Sequence, residues 1–286
     1  MSDVSRHGRD WPVVLAVGGL DPTGAAGLAA DVRAGEAVAA HVAPVAAALT
    51  AQNSAAVRQV LAVSPSMLRA QIEAVFEEFP VTAVKTGLLP SGGLIGIIAE
   101  ILPQGLPLVI DPVLTASSGG ALAASDGGGW LAALGRLAAR AALVTPNAPE
   151  AAALLGVPPA TGEDDLSRQA AALRARLRCP VLLKGGHVET EGEVIDVLAA
   201  AGGTRVFRNR RVAAERRGTG CSLATMIAAG LARGRGLEEA LEEARTALLA
   251  GLGEDVGPRG RGAPPVRPRG RERPSMNESD NQEYRQ

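Results

Sequence analysis

Aromatic residues are nearly missing from this chain: three Phe, two Trp and one Tyr in 286 residues. No core can be organised around large rings, so the interior has to be filled by Ala, Val, Leu and Ile. Cysteine is as scarce. Cys179 and Cys221 are too few for a disulfide framework and stand at no metal-ligand spacing. No apolar run approaches the length of a membrane span, and the opening residues MSDVSRHGRDWP lack the pattern of a secretory leader. The expectation is a soluble, cytoplasmic protein with no membrane partner. A net charge of −1 offers no general basic field, so nucleic acid is not an expected partner either. Lysine is the last shortage: Lys85 and Lys184 stand against 27 arginines. An ammonium is a compact point charge and a guanidinium a planar fork. Each lysine therefore marks either a place that wants a point charge or a chance survivor.

What is present is an alternation of short β-rich runs with Ala/Leu-rich helical stretches. Strands are expected at 13–19, 42–49, 82–87, 108–113, 143–146 and 181–186, with a later hairpin from EVIDVLAA and TRVFRN. A helix is expected at 65–79, opened by Ser64 as cap and Pro65 in the first turn, and two more at about 221–233 and 237–252. Near-continuous apolar strands separated by helices imply an α/β fold, a mostly parallel central sheet with helices on both faces. From Pro258 the composition turns to Arg, Pro and Gly and then to polar residues. This divides the chain into a domain over 1–257 and a C-terminal segment over 258–286 whose end is expected to be disordered. There is no internal repeat.

In open α/β sheets ligands bind beyond the carboxyl ends of the strands, and here those ends carry polar residues. The first strand runs into GGLDPTGAAGLAAD (18–31), a glycine-rich turn that is neither a Walker loop nor a G-x-G-x-x-G fingerprint. The second ends at TAQNS, where Gln52 and Asn53 could read a heterocycle or simply form a turn. Asp111 follows a buried strand. Asn147 and Glu150 have the spacing of a capping box, yet a carboxylate at a strand end can also hold hydrated Mg²⁺. Lys184 precedes two glycines, a plausible phosphate contact. In RRGTGCSLATMIAAG (216–230), Gly218, Thr219 and Gly220 lead into a helix whose free N–H groups favour an anion. Cys221 then falls in the first turn, where a thiol is expected to be acidified. Anion pocket, thiol, lysine and two carboxylates suit phosphoryl transfer.

Read in order, GGLDPTGAAGLAADVRAGEA, ALTAQNSAAV, VKTGLL, VIDPVLTASSGG, VTPNAPEAAALLG, LLKGGHVE, GTGCSLATMIAAGLARG and GRGAPPV resemble the hydroxymethylpyrimidine/phosphomethylpyrimidine kinases of thiamine biosynthesis, within the ribokinase superfamily. The resemblance covers about residues 12–266. It implies a ribokinase-like fold and an enzyme that uses ATP and Mg²⁺ to phosphorylate a hydroxymethyl aminopyrimidine and then its monophosphate. It further implies that Gln52, Gly19 and Asp31 line the pyrimidine site and that Lys184 and Asn147 meet ATP. Asp111 and Glu150 would hold the metal and its waters, Gly218, Thr219 and Gly220 would form the anion hole, and Cys221 would stand by the attacking hydroxyl as base or orienter. A homodimer is a further implication.

The chain departs from the family pattern at Arg217, where His is usual before GTGC, and at Arg33, where Lys is common. It departs also at Thr86 and Leu88, and at TGAAG in place of Ser-Gly-Gly-Ala-Gly. Three alternatives stand beside the pyrimidine kinase: a pyridoxal kinase of the same fold, a non-catalytic pyrimidine sensor, and a redox or acyl-transfer role for Cys221. The last is disfavoured by the lack of a His in its motif and of a resolving CxxC.

Overall fold

Alternate residues of the first strand serve two different cores, and this organises the whole molecule. In the computed structural model, which describes residues 11–114, 129–188, 190–212, 216–252 and 263–270, Val14 and Ala16 pack to one side of the sheet and Leu15 and Val17 to the other. A strand with both faces covered needs apolar residues at every position, and VVLAVGG supplies them.

The elements follow in the order β1 (Val13–Leu20), α1 (Gly27–Ala37), β2 (His41–Gln52), β3 (Val57–Ala62), α2 (Pro65–Glu78), β4 (Val81–Thr86), α3 (Gly92–Ile101), β5 (Leu108–Ile110), α4 (Gly129–Ala138), β6 (Leu143–Val144), α5 (Ala148–Leu155), α6 (Glu163–Leu177), β7 (Val181–Leu183), β8 (Glu193–Ala200), β9 (Gly203–Arg210), α7 (Thr219–Ala232) and α8 (Leu237–Leu252). They build one nine-stranded sheet in the order β3-β2-β1-β4-β5-β6-β7-β8-β9. Pairing is parallel from β2 through β7 and antiparallel for β2–β3, β7–β8 and β8–β9. Helices α2 to α6 cover one face, and α1, α7 and α8 the other.

Every expected strand forms, and Ser64 caps α2 by accepting from the Met67 N–H, with Pro65 in the first turn. The strand β3 was not expected. Its sequence VRQVLA shows no alternation, and its side chains are largely exposed; it exists because β2 offers an unpaired edge. Residues 263–270, which composition assigns to the C-terminal segment, run back along the body. Val266 is fully buried, and main-chain bonds join Arg217 to Pro264 and Val266 and Arg269 to Ala247. The disorder expected for the end of the chain, and the TASSGG part of the Asp111 motif, lie outside the described residues. Among those described, no helix is long and apolar enough to cross a membrane.

The small-residue composition has a direct use in α7. Gly230 sits so close to α8 that a Cβ on it would lie 2.7 Å from that of Ala240. Strand order reverses about β1, whose neighbours β2 and β4 leave in opposite directions. This is the switch point at which a crevice opens beyond the carboxyl ends of the strands.

Candidate active site

A cavity of about 500 Å³ occupies that crevice. The eleven residues that the resemblance assigns to the site all line it: Gly19 from β1, Asp31 from α1, Gln52 from β2, Asp111 after β5, Asn147 and Glu150 at the start of α5, Lys184 after β7, and Gly218 to Cys221 at the start of α7. Lys85, at the end of β4, lines it too, so both lysines of the chain face one cavity.

The amide pair at the end of β2 divides its work. Asn53 forms the turn, its Oδ1 accepting from the N–H groups of Ala55 and Ala56 at 2.9 and 3.0 Å. Gln52 points to the cavity, and its side-chain oxygen is buried with no hydrogen-bond partner. Such an oxygen costs free energy until a donor reaches it, which marks it as a contact for a ligand N–H or O–H.

At the other end of the cavity, Lys184 donates to Asp111 Oδ1 at 2.8 Å, and the Thr145 hydroxyl donates to the same oxygen at 3.1 Å. Burial pushes the Asp111 carboxyl up, but the ammoniums of Lys184 and Lys85 with these hydrogen bonds outweigh it and hold the group below its ordinary range. Asn147 and Glu150 do form a capping box, each accepting from the other's backbone N–H at 2.8 Å. Glu150 remains a cavity residue. Burial raises its carboxyl to about 7, with Lys184 pulling down and Asp111 pushing up. Two neighbouring carboxylates are the kind of oxygen donors that suit Mg²⁺ held jointly by protein and phosphate oxygens, and the ammonium beside them suits the phosphates themselves. Among the described residues no group of three or more His, Cys, Asp or Glu could form a metal cage.

Helix α7 begins with Gly218 as its N-cap in the left-handed region (φ +78°), without a side-chain cap. The first intrahelical bond runs from the Ser222 N–H to the Gly218 carbonyl, so the preceding N–H groups are free of helical partners and open on the cavity. A Cβ on Gly220 would lie 3.0 Å from Lys184 Nζ, which places the ammonium beside these donors. The geometry is that of an anion site.

Cys221 sits in the first turn as expected, but its chemistry is not the expected one. Burial pushes the thiol up to about 11; Lys85 and the Gly27 N–H pull it down, and Asp31 and Asp111 push it up. The helix terminus does not produce a thiolate here, because burial of the thiol, aided by the carboxylates of Asp31 and Asp111, outweighs the pull of Lys85 and the Gly27 N–H. Beneath it lies a buried pair. Lys85 Nζ meets both oxygens of Asp31 at 2.8 and 2.9 Å, and the Thr225 hydroxyl donates to the same carboxylate at 2.8 Å. Asp31 thus lines the cavity with both oxygens already engaged.

The family model for phosphomethylpyrimidine kinase matches residues 21–267. The chain belongs to the phosphomethylpyrimidine kinase family. It is 36% identical over 256 residues to the hydroxymethylpyrimidine/phosphomethylpyrimidine kinase of Salmonella typhimurium, covering 88% of this chain and 95% of that one. Among solved structures it is similar to phosphomethylpyrimidine kinase from Clostridium difficile, with a TM-score of 0.67, 32% identity, and coverage of 82% of this chain and 96% of the other. It is similar also to Bacillus subtilis pyridoxal kinase in an ADP complex, with a TM-score of 0.78, 25% identity, and coverage of 90% and 97%.

Membership of the phosphomethylpyrimidine kinase family confirms the fold and the kinase class expected from the motifs. Three further residues of this member's cavity, Lys85, Arg217 and His187, have no site role assigned from the sequence. Lys85 was singled out by rarity alone, Arg217 was noted only as a departure, and His187 was passed over. Burial, Lys184 and Arg211 hold the His187 imidazole below its ordinary value. The signal for Lys85 was the Arg-dominated composition; for the other two no local pattern exists.

Proposed function

We propose that this protein transfers the terminal phosphoryl group of ATP to 4-amino-5-hydroxymethyl-2-methylpyrimidine and then to the resulting monophosphate, as a step of thiamine biosynthesis. The observation that carries this reading is the placement, in one cavity, of an unpartnered Gln52 oxygen and the uncapped N-terminus of α7 with Cys221. The first suits the exocyclic amine of a pyrimidine, the second a phosphoryl group in transfer.

Bound with Mg²⁺, ATP would supply the phosphoryl group; Asp111 and Glu150 fit the metal and Lys184 the phosphates. Gln52 orients the ring, and Gly19 lets the Leu88 side chain pack close against β1 in the cavity wall, since a Cβ there would lie 2.8 Å from it. The free N–H groups of α7 meet charge on the transferred group. Cys221, neutral at physiological pH because burial raises its thiol to about 11, orients the acceptor hydroxyl. A loose transition state asks for little proton removal before transfer, so a thiol suffices. A cytoplasmic homodimer belongs to the same proposal and is tested by light scattering.

The test is to incubate the protein with Mg·ATP and the hydroxymethylpyrimidine, its monophosphate, or pyridoxal, and to follow products by mass spectrometry. Conversion of both pyrimidines is expected. A pyridoxal kinase is the second reading, favoured by the higher TM-score to the Bacillus subtilis enzyme; turnover of pyridoxal alone would establish it.

A further inference from the structure

The loop between β1 and α1 is held from outside by two arginines. Asp21 first folds the loop on itself: its Oδ1 accepts from the Thr23 N–H at 2.9 Å and hydroxyl at 2.8 Å, and its Oδ2 from the Ala26 N–H at 3.1 Å. Arg217, just before α7, then donates to Asp21 Oδ2 at 3.3 Å and to Thr23 Oγ1 at 3.1 Å. Arg33, on α1, turns back to donate to the carbonyl oxygens of Gly24 and, at 3.4 Å, Ala25. Arg217 and Asp21 are both buried, so neither could lose the other to solvent.

What the loop touches gives this arrangement its meaning. Gly218 lies so near that a Cβ on it would come within 2.3 Å of the Ala25 carbonyl oxygen. The Gly27 backbone N–H is directed at the Cys221 thiol. Loop and helix terminus are therefore in main-chain contact, and any shift of the loop moves the N–H relative to the thiol. Gly24 and Gly27 both have positive φ, +70° and +56°, so an untethered loop would have wide conformational freedom. A planar guanidinium can meet two adjacent carbonyls at once, which an ammonium at Arg33 would not do as well. The main chain of Arg217 independently pairs with Pro264 and Val266; its side chain is not needed to seat that strip.

We propose that Arg33 and Arg217 are positioning residues that clamp the loop 21–26 against the N-terminus of α7 and so fix the acceptor hydroxyl relative to Cys221. The proposal rests on the kinase reading for its acceptor, but the clamp itself has a readout that needs no activity. The variants are Arg33→Lys, which keeps the charge and loses the fork, and Arg217→Met. The first tests the idea even if the second folds poorly. Hydrogen exchange of the 20–30 segment is measured by mass spectrometry in the ligand-free protein, and KM is measured separately for the pyrimidine and for ATP.

In each variant, exchange of the loop amides rises about tenfold while that of β1 and β4 is unchanged. The pyrimidine KM rises about tenfold and the ATP KM stays within about twofold. Unchanged loop exchange in both variants would overturn the clamp. So would faster exchange with no change in either KM, or with equal rises in both, since the loop would then not position the acceptor. Faster loop exchange in the variants, where the wild-type protein turns over neither pyrimidine, would support the clamp and overturn the pyrimidine-kinase reading instead.

Discussion

Lys85 and Asp31, 54 residues apart in sequence, form a buried ion pair one helical turn below Cys221. Thr225, four residues on from the cysteine and on the same face of α7, bonds the same carboxylate. Lys85 is 1% exposed and Asp31 fully buried. Burial raises the Asp31 carboxyl; burial also pulls the Lys85 ammonium down, but Asp31, with Cys221 and Asp111 beside it, outweighs that and holds the ammonium charged. The pair is a foundation for the cavity floor, and what it supports can be tested by breaking it from either side.

Removing one partner leaves the other charge buried and alone. Lys85→Met is expected to destabilise the protein by about 3–5 kcal/mol. Adding Asp31→Asn, which keeps an acceptor for Thr225, should recover at least about half of that loss. Urea unfolding of the two single variants and the double variant measures the coupling; strictly additive losses would show that the pair does not act as a unit.

Cys221 is expected to react as a neutral thiol. Its alkylation by iodoacetamide should rise about tenfold for each pH unit between pH 7 and 10, with no plateau in that range. Peptide mass spectrometry separates it from Cys179, a buried thiol pushed up to about 12 by burial. A plateau near neutrality would show a thiolate. In the same protein, Cys221→Ala should lower kcat by about 100-fold or more and leave the ATP KM within about threefold. Equal losses in both would assign the cysteine to packing.

Glu150 makes stability depend on pH in a direction opposite to the usual carboxylate. Its folded value, about 7, lies above the ordinary 4.5. Between those two values the native state holds more protons than the unfolded one, so stability falls as pH rises. The contribution is complete below about 4.5 and lost through about 7. Glu150→Gln cannot titrate. In EDTA, Tm of wild type relative to Glu150→Gln should therefore be higher at pH 5 than at pH 8, by about 4 °C. A flat or reversed difference in scanning calorimetry would contradict the burial argument.

Gln52→Ala removes the unpartnered oxygen without disturbing a hydrogen bond of the ligand-free protein. The variant should be as stable as wild type within about 0.5 kcal/mol. Its pyrimidine KM should rise by about 10- to 100-fold with little change for ATP. Steady-state kinetics with each substrate varied in turn decides this, and a matching rise for ATP would remove Gln52 from the pyrimidine site.

Much of the site was legible because it rests on local signals. Strand ends were marked by the passage from apolar runs to polar residues, and the start of α7 by Gly218, Thr219 and Gly220. Glu150 closes the capping box that its spacing with Asn147 announces, and it also faces the cavity. The order of the motifs carried the family. Less legible were features that depend on a partner. The strand β3 has no pattern of its own and is defined by the edge of β2. Gln52 and Asn53 are adjacent and chemically alike, and only the path of the backbone turned one inward and the other into a turn.

From the amino-acid sequence alone follow the α/β alternation, the strand-end location of the site and the class of chemistry, because periodicity, caps and glycine turns act over a few residues. The tertiary structure alone decided that Lys85 faces Asp31, that Arg217 faces Asp21, and that burial pushes the Cys221 thiol up rather than down. These outcomes depend on charges brought together from segments remote in the chain and on how much water each group has lost. Both quantities come into being only when the chain has folded.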